Sequence, residues 1–170
     1  KAMSIETILD AYFLLPEELN IKIKFIGPYE IVDHYLSKEN VNKRPNLEYS
    51  NLVSRDKVPD YINNADLLVH SIKNTDQLKF GINSNKLIEY CSSGRVVLLA
   101  AKVKNDLVSS SGCGYVINPE DPRLMAEFFL KVRDMSPSER IKIGRKGQEF
   151  IIRQSSKFLS NKYSDIIERI

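Results

Sequence analysis

A chain of 170 residues with a net charge of +3 is long enough for one domain with a sizeable core. The Lys and Arg residues are spread along the chain among matching acids. No focused basic face is expected, and nucleic acid is an unfavoured partner. No apolar run reaches the roughly 18–20 residues that span a bilayer. The two cysteines, Cys91 and Cys113, and the two histidines, His34 and His70, show no metal-ligand spacing and no disulfide framework. Those features fit a reducing, cytoplasmic setting without a dedicated metal site.

In chain order, Ser4 opens a helix in which Ile5, Ile8, Leu9 and Tyr12 recur at helical spacing up to Leu15, and Pro16 ends it. Ile21 to Ile26 reads as a strand, closed by Gly27-Pro28. A second helix carries Ile31, Val32, Tyr35 and Leu36 on one face. After the Pro45-Asn46 turn, Leu47 to Tyr49 is a short strand, and Leu52 to Arg55 is a loop. Asp56 is expected to cap a short helix that tolerates Pro59 in its first turn. Asp66 to His70 is the third strand, with Ser71 to Lys79 a polar loop after it.

The stretch from Phe80 to Leu99 carries the most information. Phe80-Gly81 is a turn, and Asn83 or Ser84 is a candidate N-cap. Leu87, Ile88 and Cys91, with Tyr90, form an apolar helical face. Lys86 and Glu89 lie on the polar face. Gly94 stops the helix, and Val96 to Ala100 is an apolar run suited to a strand covered on both faces. A helix that opens from a glycine turn presents N–H groups and the positive end of its dipole to an anion. Glu89, about one turn further on, suits ribose hydroxyls. Together they suggest a nucleotide site.

Asn105 to Ser110 is then a short helix, and Gly114 to Ile117 the last strand. Asp121-Pro122 caps a helix with Leu124, Met125, Phe128, Phe129 and Val132. Ser136-Pro137-Ser138-Glu139 reads as a capping box, followed by a helix weakened on paper by Gly144 and Gly147. A final helix is expected from Phe158 to Ile170. Of the single residues, His34 is read as surface, His70 as a satisfied strand-end histidine and Cys91 as core. Ser109-Ser110-Ser111 is read as a loop without a paired base.

Strands and helices alternating at about 20–25-residue intervals imply a doubly wound, mostly parallel α/β sheet of the Rossmann-like kind, with a helical C-terminal tail. Ligands bind such sheets beyond the carboxyl ends of the strands. Here those ends are Gly27-Pro28-Tyr29, Leu52-Val53-Ser54, His70 to Phe80 and Ala101-Lys102, and the anion-binding turn lies on the same rim.

Five blocks in order resemble the C-terminal, donor-binding half of GT-B glycosyltransferases of the large retaining family four. They are Ile26-Gly27-Pro28, Val58 to Val69, Lys86 to Val97, Asn105 to Gly114 with Asn118-Pro119-Glu120-Asp121, and Arg140 to Gly147. The third is similar to the family block K-L-x-E-Y-M-A-x-G-K-P-V. The resemblance implies that residues 1–170 form one nucleotide-sugar-binding domain, and that an acceptor domain and a central first strand precede Lys1. Without that strand, the Ile21 and Asp66 strands should either pair directly or leave a gap.

The same resemblance implies a hexosyltransferase-like, metal-independent enzyme. It would move a sugar from a UDP-, GDP- or ADP-linked donor with retention, in polysaccharide or glycoconjugate biosynthesis. The acceptor is a glycan or a lipid-linked molecule, which fits peripheral contact with the inner face of a membrane. No cofactor beyond the nucleotide-sugar substrate is implied. Glu89 is expected to hold the ribose diol, and Ser84 and Asn85, with Lys86, Gly81, Ile82 and Asn83 around them, the diphosphate. Leu52 and Val53 are expected to meet the base, Gly27 to line the rim, and Lys1 to match a phosphate-contacting lysine. The family's first glutamate lies eight residues before its second, where this chain has Gly81. Asp76 is the nearest acid able to contact the sugar, so the catalytic residue stays open. Two other readings remain: a non-catalytic nucleotide-binding α/β module, and another GT-B enzyme such as a sugar-nucleotide epimerase.

Overall fold

The computed structural model describes residues 4–28, 30–39, 41–75 and 84–155. Its elements in chain order are α1 (Ile5–Phe13), a 3-10 turn (Glu17–Leu19), β1 (Ile23–Ile26), α2 (Glu30–Lys38), β2 (Leu47–Ser50) and a 3-10 turn (Arg55–Lys57). Then come α3 (Val58–Asn63), β3 (Leu67–Ser71), α4 (Asn85–Ser92), β4 (Val96–Ala100), α5 (Leu107–Ser111), β5 (Gly114–Ile117), α6 (Pro122–Asp134) and α7 (Pro137–Gln154). Every strand pairing is parallel. β1 pairs with β2, and β3, β4 and β5 form a second sheet in that order. This is the expected α/β architecture.

β4 is central to its sheet and buried at all five positions, which is why its sequence is an unbroken apolar run rather than an alternating one. Leu98 and Ala100 face the layer of α1 and α6, where they meet Ile8, Ala11, Met125 and Phe129. Val97 and Leu99 face the opposite layer, with Leu87 and Cys91 of α4 and Val108 of α5. Each such side chain contributes about 1.5–3 kcal/mol by leaving water. A third cluster joins Leu9 and Tyr12 of α1 to Val32, Tyr35 and Leu47.

Between β1 and β3 no strand pairing joins the two sheets among the described residues. Yet Ile23 and Phe25 of β1 and Leu67 and Val69 of β3 pack on one cluster under α1. On the other face of β1, Lys24 lies over the Tyr61 ring of α3, 4.9 Å from its centroid. Of the two outcomes expected here, the structure has the gap. At its carboxyl end the Ser4 N–H donates to the Ser71 carbonyl at 3.0 Å, which ties the start of α1 to the end of β3.

The helix ends follow local rules. Asp121 accepts from the Leu124 N–H at 3.0 Å with Pro122 at the first helical position, and Ser136 and Glu139 form the full capping box. Arg44 satisfies the carboxyl end of α1, donating to the carbonyls of Leu15 at 2.7 Å and Phe13 at 3.1 Å. Gly144 and Gly147 do not interrupt α7. A Cβ on Gly144 would overlap the Gly94 carbonyl, and one on Gly147 the Cys91 carbonyl. The two glycines let α7 lie against the end of α4.

Several expectations need correction. Asp56 is not the cap of α3, because a 3-10 turn intervenes and Lys57 stands at the cap position. Ser71 belongs to β3, and Ile72 continues the sheet by donating to the Ala100 carbonyl at 2.9 Å. Ser109-Ser110-Ser111 is helical rather than a loop, since Asp106 caps α5 by accepting from the Ser109 N–H at 2.7 Å. The cap of α4 at its far end is Ser93. Gly94 follows it with φ of +75°, the left-handed conformation that a glycine adopts without strain. The expected helix from Phe158 to Ile170 lies outside the described residues.

Candidate functional site

α4 opens at Ser84, whose backbone is extended and whose side chain makes no capping hydrogen bond. The N–H groups of Leu87 and Ile88 both donate to the Ser84 carbonyl, at 3.0 and 3.2 Å. The helix begins there, and the positive end of its dipole is directed at the rim. Leu87 and Cys91 anchor the buried side of α4. Asn85, Lys86 and Glu89 are exposed. Asn85 and Glu89 stand one turn apart on the same face, and helical side chains lean toward the amino end. The Glu89 carboxylate therefore stands over the turn that carries the dipole's positive end. Ile88 was expected on the apolar face but is 39% exposed; the face is set by Leu87 and Cys91 with Tyr90 beside them.

The carboxyl ends of β1 and β2 carry the other residues expected at the rim. Gly27 ends β1 with φ of +149°, and a Cβ built there meets nothing within 4 Å, so the turn borders open space. Its N–H donates to the Ser50 carbonyl at 3.0 Å, which ties the β1 and β2 ends together. Just beyond β2, Leu52 is 78% exposed, an apolar side chain held out at the rim, with Val53 half-buried beside it. Gly81, Ile82, Asn83, Asp76 and Lys1 lie outside the described residues.

The structure changes the reading of His70 and adds Ser71, which sequence reasoning passed over. His70, near the end of β3, is only 4% exposed, and among the described residues its Nδ1 has no hydrogen-bond partner. The expectation of a satisfied histidine is therefore corrected. Burial, and then the charge of Lys86, lower its pKa to about 4, so the imidazole is neutral at physiological pH. Its ring packs edge-on to Tyr90 of α4 with centroids 6.4 Å apart. Next to it the Ser71 hydroxyl is fully buried and also without a partner. A polar residue at the last position of a buried strand was the available signal for both. His34 is exposed, as expected.

Among the described residues no group of three or more His, Cys, Asp or Glu is placed to hold a metal ion. A shallow depression of about 490 Å³ lies beyond the carboxyl ends of β4 and β5, between Lys102, Asn118, Leu124 and Phe128. A smaller cavity of about 70 Å³, lined by Asp66, Arg95 and Arg140, is at the opposite, amino-terminal end of β3 and β4. The rim and its helix start are thus separate from that second cavity.

With this geometry, the chain is similar in structure to solved glycosyltransferases. HepE of Anabaena, in complex with UDP, superposes with a TM-score of 0.70 at 14% identity, over 100% of this chain and 47% of that one. WaaG, a glycosyltransferase involved in lipopolysaccharide biosynthesis, gives 0.72 at 23% identity, over 98% and 44%. The fold is that of a GT-B, Rossmann-like α/β domain. Sucrose-phosphate synthase of Thermosynechococcus elongatus shares the GT-B architecture, with a TM-score of 0.67 at 12% identity, over 99% and 44%. The chain therefore spans less than half the length of the GT-B proteins it matches. No family model matches it, and no curated relative does. Among the described residues, no helix of this GT-B-type domain is long and apolar enough to cross a membrane.

Proposed function

We propose that this chain is the donor-binding domain of a retaining glycosyltransferase, and that α4 and the rim around it hold a nucleoside diphosphate sugar. The observation that carries the reading is the start of α4. A helix dipole, two leading N–H groups and an exposed carboxylate one turn along stand at the carboxyl ends of parallel strands. In this reading the backbone of Ser84 and Asn85 binds the diphosphate, and the Glu89 carboxylate accepts hydrogen bonds from the ribose diol. The segment at Leu52 and Val53 lies under the base, with Gly27 keeping the rim open. HepE, solved with UDP and with UDP-glucose, makes a uridine diphosphate sugar the first donor to test.

Sugar transfer breaks the bond between the anomeric carbon and the diphosphate oxygen, and negative charge grows on that oxygen in the transition state. A helix N-terminus aimed at the diphosphate stabilises that charge more than it stabilises the ground state, which is the form of help that speeds the reaction. The acceptor, in this reading a glycan or a lipid-linked molecule, is bound by a further domain of the whole protein. The domain by itself binds donor without turning it over. No divalent metal is required, because the charge is met by backbone dipoles and by basic side chains such as Lys86.

The test is a thermal-shift screen of the purified chain against UDP-, GDP- and ADP-sugars, followed by calorimetry on the responders. A saturable shift with one nucleotide family supports the reading. The absence of a shift with all three contradicts it.

A further inference from the structure

Beneath α4 lies a pair of groups that donor binding does not use. Cys91, on the buried side of α4, and Cys113, immediately before β5, are both free thiols, both 0% exposed, with their sulfurs 3.5 Å apart. We propose that this pair is a redox switch, closed to an intramolecular disulfide by a hydroperoxide, which moves α4 and with it the rim. The consequence for donor binding rests on the function proposed above; the cross-link and the movement of α4 do not.

The geometry is close to that of a bond. A disulfide holds its sulfurs about 2.05 Å apart, so closure requires an approach of about 1.5 Å. The Cys113 side cannot supply much of it. The Cys113 carbonyl accepts from the Val97 N–H at 3.1 Å, and a Cβ on the next residue, Gly114, would overlap the Val97 carbonyl. The start of β5 is thus pinned to the central strand. A Cβ built on Gly147 of α7 would stand only 2.9 Å from the Cys113 Cβ, so that wall is tight as well. Gly147 lies against the Cys91 carbonyl too, so what rotation of the side chains does not supply is a shift of α4, a helix of eight residues with an exposed outer face, along α7.

The pair is also primed chemically. Hydrogen bonding between the two sulfurs, with Ser111 assisting, draws Cys113 down to about 7, while the same contact and burial push Cys91 up. Cys113 follows exposed Gly112, one residue from solvent, and is the sulfur that a peroxide reaches first. Its thiolate attacks one peroxide oxygen, the O–O bond breaks, and the departing hydroxide takes up the released proton as water. The Cys91 sulfur then attacks the sulfenic sulfur. The S–O bond breaks, and the Cys91 proton leaves with that hydroxyl as a second water. Two thiols and one hydrogen peroxide give one disulfide and two waters.

The experiment treats the folded, fully reduced chain with hydrogen peroxide and reads intact mass, amide hydrogen exchange and UDP affinity. The expected result is a loss of two hydrogens without added oxygen, reversed by dithiothreitol. It comes with altered exchange at Asn85 to Ser92 and UDP affinity at least fivefold weaker. The C91A and C113A variants form no intramolecular disulfide, and their exchange at α4 is unchanged by peroxide. Both thiols surviving in the folded wild type, while urea-unfolded chain oxidises, overturns the proposal. A disulfide that leaves α4 exchange unaltered overturns the switch. If neither redox form binds UDP, the donor reading fails, and mass and exchange still decide the cross-link and the movement.

Discussion

Replacing Glu89 by Gln removes one negative charge from the exposed face of α4 while preserving the shape of the side chain. Glu89 makes no packing contribution to the buried side, which Leu87 and Cys91 supply. Folding stability should therefore stay within about 0.5 kcal/mol of wild type. Donor binding should not. In the proposed site the carboxylate accepts from the ribose hydroxyls, and a hydrogen bond to a charged acceptor is worth about 1.5–3 kcal/mol. E89Q is expected to weaken the preferred nucleotide-sugar by roughly 10- to 150-fold at constant salt. Calorimetry reads the affinity and urea denaturation reads the stability, so a binding loss without a stability loss isolates the contact. A 2′,3′-dideoxy nucleotide should bind wild type and E89Q equally, because it offers the carboxylate no hydroxyl. Unchanged affinity of E89Q for the intact donor would refute the role of Glu89.

Three further outcomes test the fold beneath the site. G144A should destabilise the chain by about 1–3 kcal/mol in urea, although alanine is the better helix former, because its Cβ would overlap the Gly94 carbonyl; a gain in stability would contradict the packing of α7 on α4. S136A removes the capping-box acceptor of α7 and should cost about 1 kcal/mol, read as a lower urea midpoint at constant slope. His70 gives a pH dependence. Its folded pKa of about 4 lies below the ordinary value of 6.5, so the unfolded chain binds the extra proton first. The stability that neutral His70 permits is present above about pH 6.5 and is lost as pH falls toward 4, by an amount on the order of 3 kcal/mol. H70Q should flatten that part of the stability profile, and an unchanged slope would show that the histidine is not the group responsible.

The parts of this domain legible in the sequence are those where local chemistry and tertiary burial agree. β4 is an unbroken apolar run because both its faces are covered, and its bounds matched the structure. Asp121-Pro122 and Ser136 to Glu139 announced their helices because capping is a contact among neighbours in sequence. Where the reading went astray, a distant contact decided the outcome. Ile88 looked apolar and helical, but Leu87, Tyr90 and Cys91 are the residues that meet the sheet. Gly144 and Gly147 weakened α7 on paper, and their purpose is visible only with Gly94 and Cys91 lying against them. His70 was expected to have a partner, and no local pattern tells whether a strand-end imidazole finds one.

The candidate site divides the same way. The start of α4 was legible from Ser84 to Glu89, because anion binding by a helix end is a property of the backbone. The strand ends at Gly27, Leu52 and His70 were legible too, from the alternation of strands and helices; the burial of the His70 side chain was not, since it depends on Tyr90 of α4 packing against it. The Cys91–Cys113 contact is likewise invisible in a spacing that matches no motif.

The most direct test of the account is to locate UDP on the domain by amide chemical-shift mapping. The account predicts saturable shifts clustered at Ser84 to Glu89, with a second group at Gly27 and at Leu52-Val53, and none around Asp66 and Arg140 at the amino ends of the strands. Saturable binding whose shifts cluster at Asp66, Arg95 and Arg140, with the start of α4 unmoved, would contradict it.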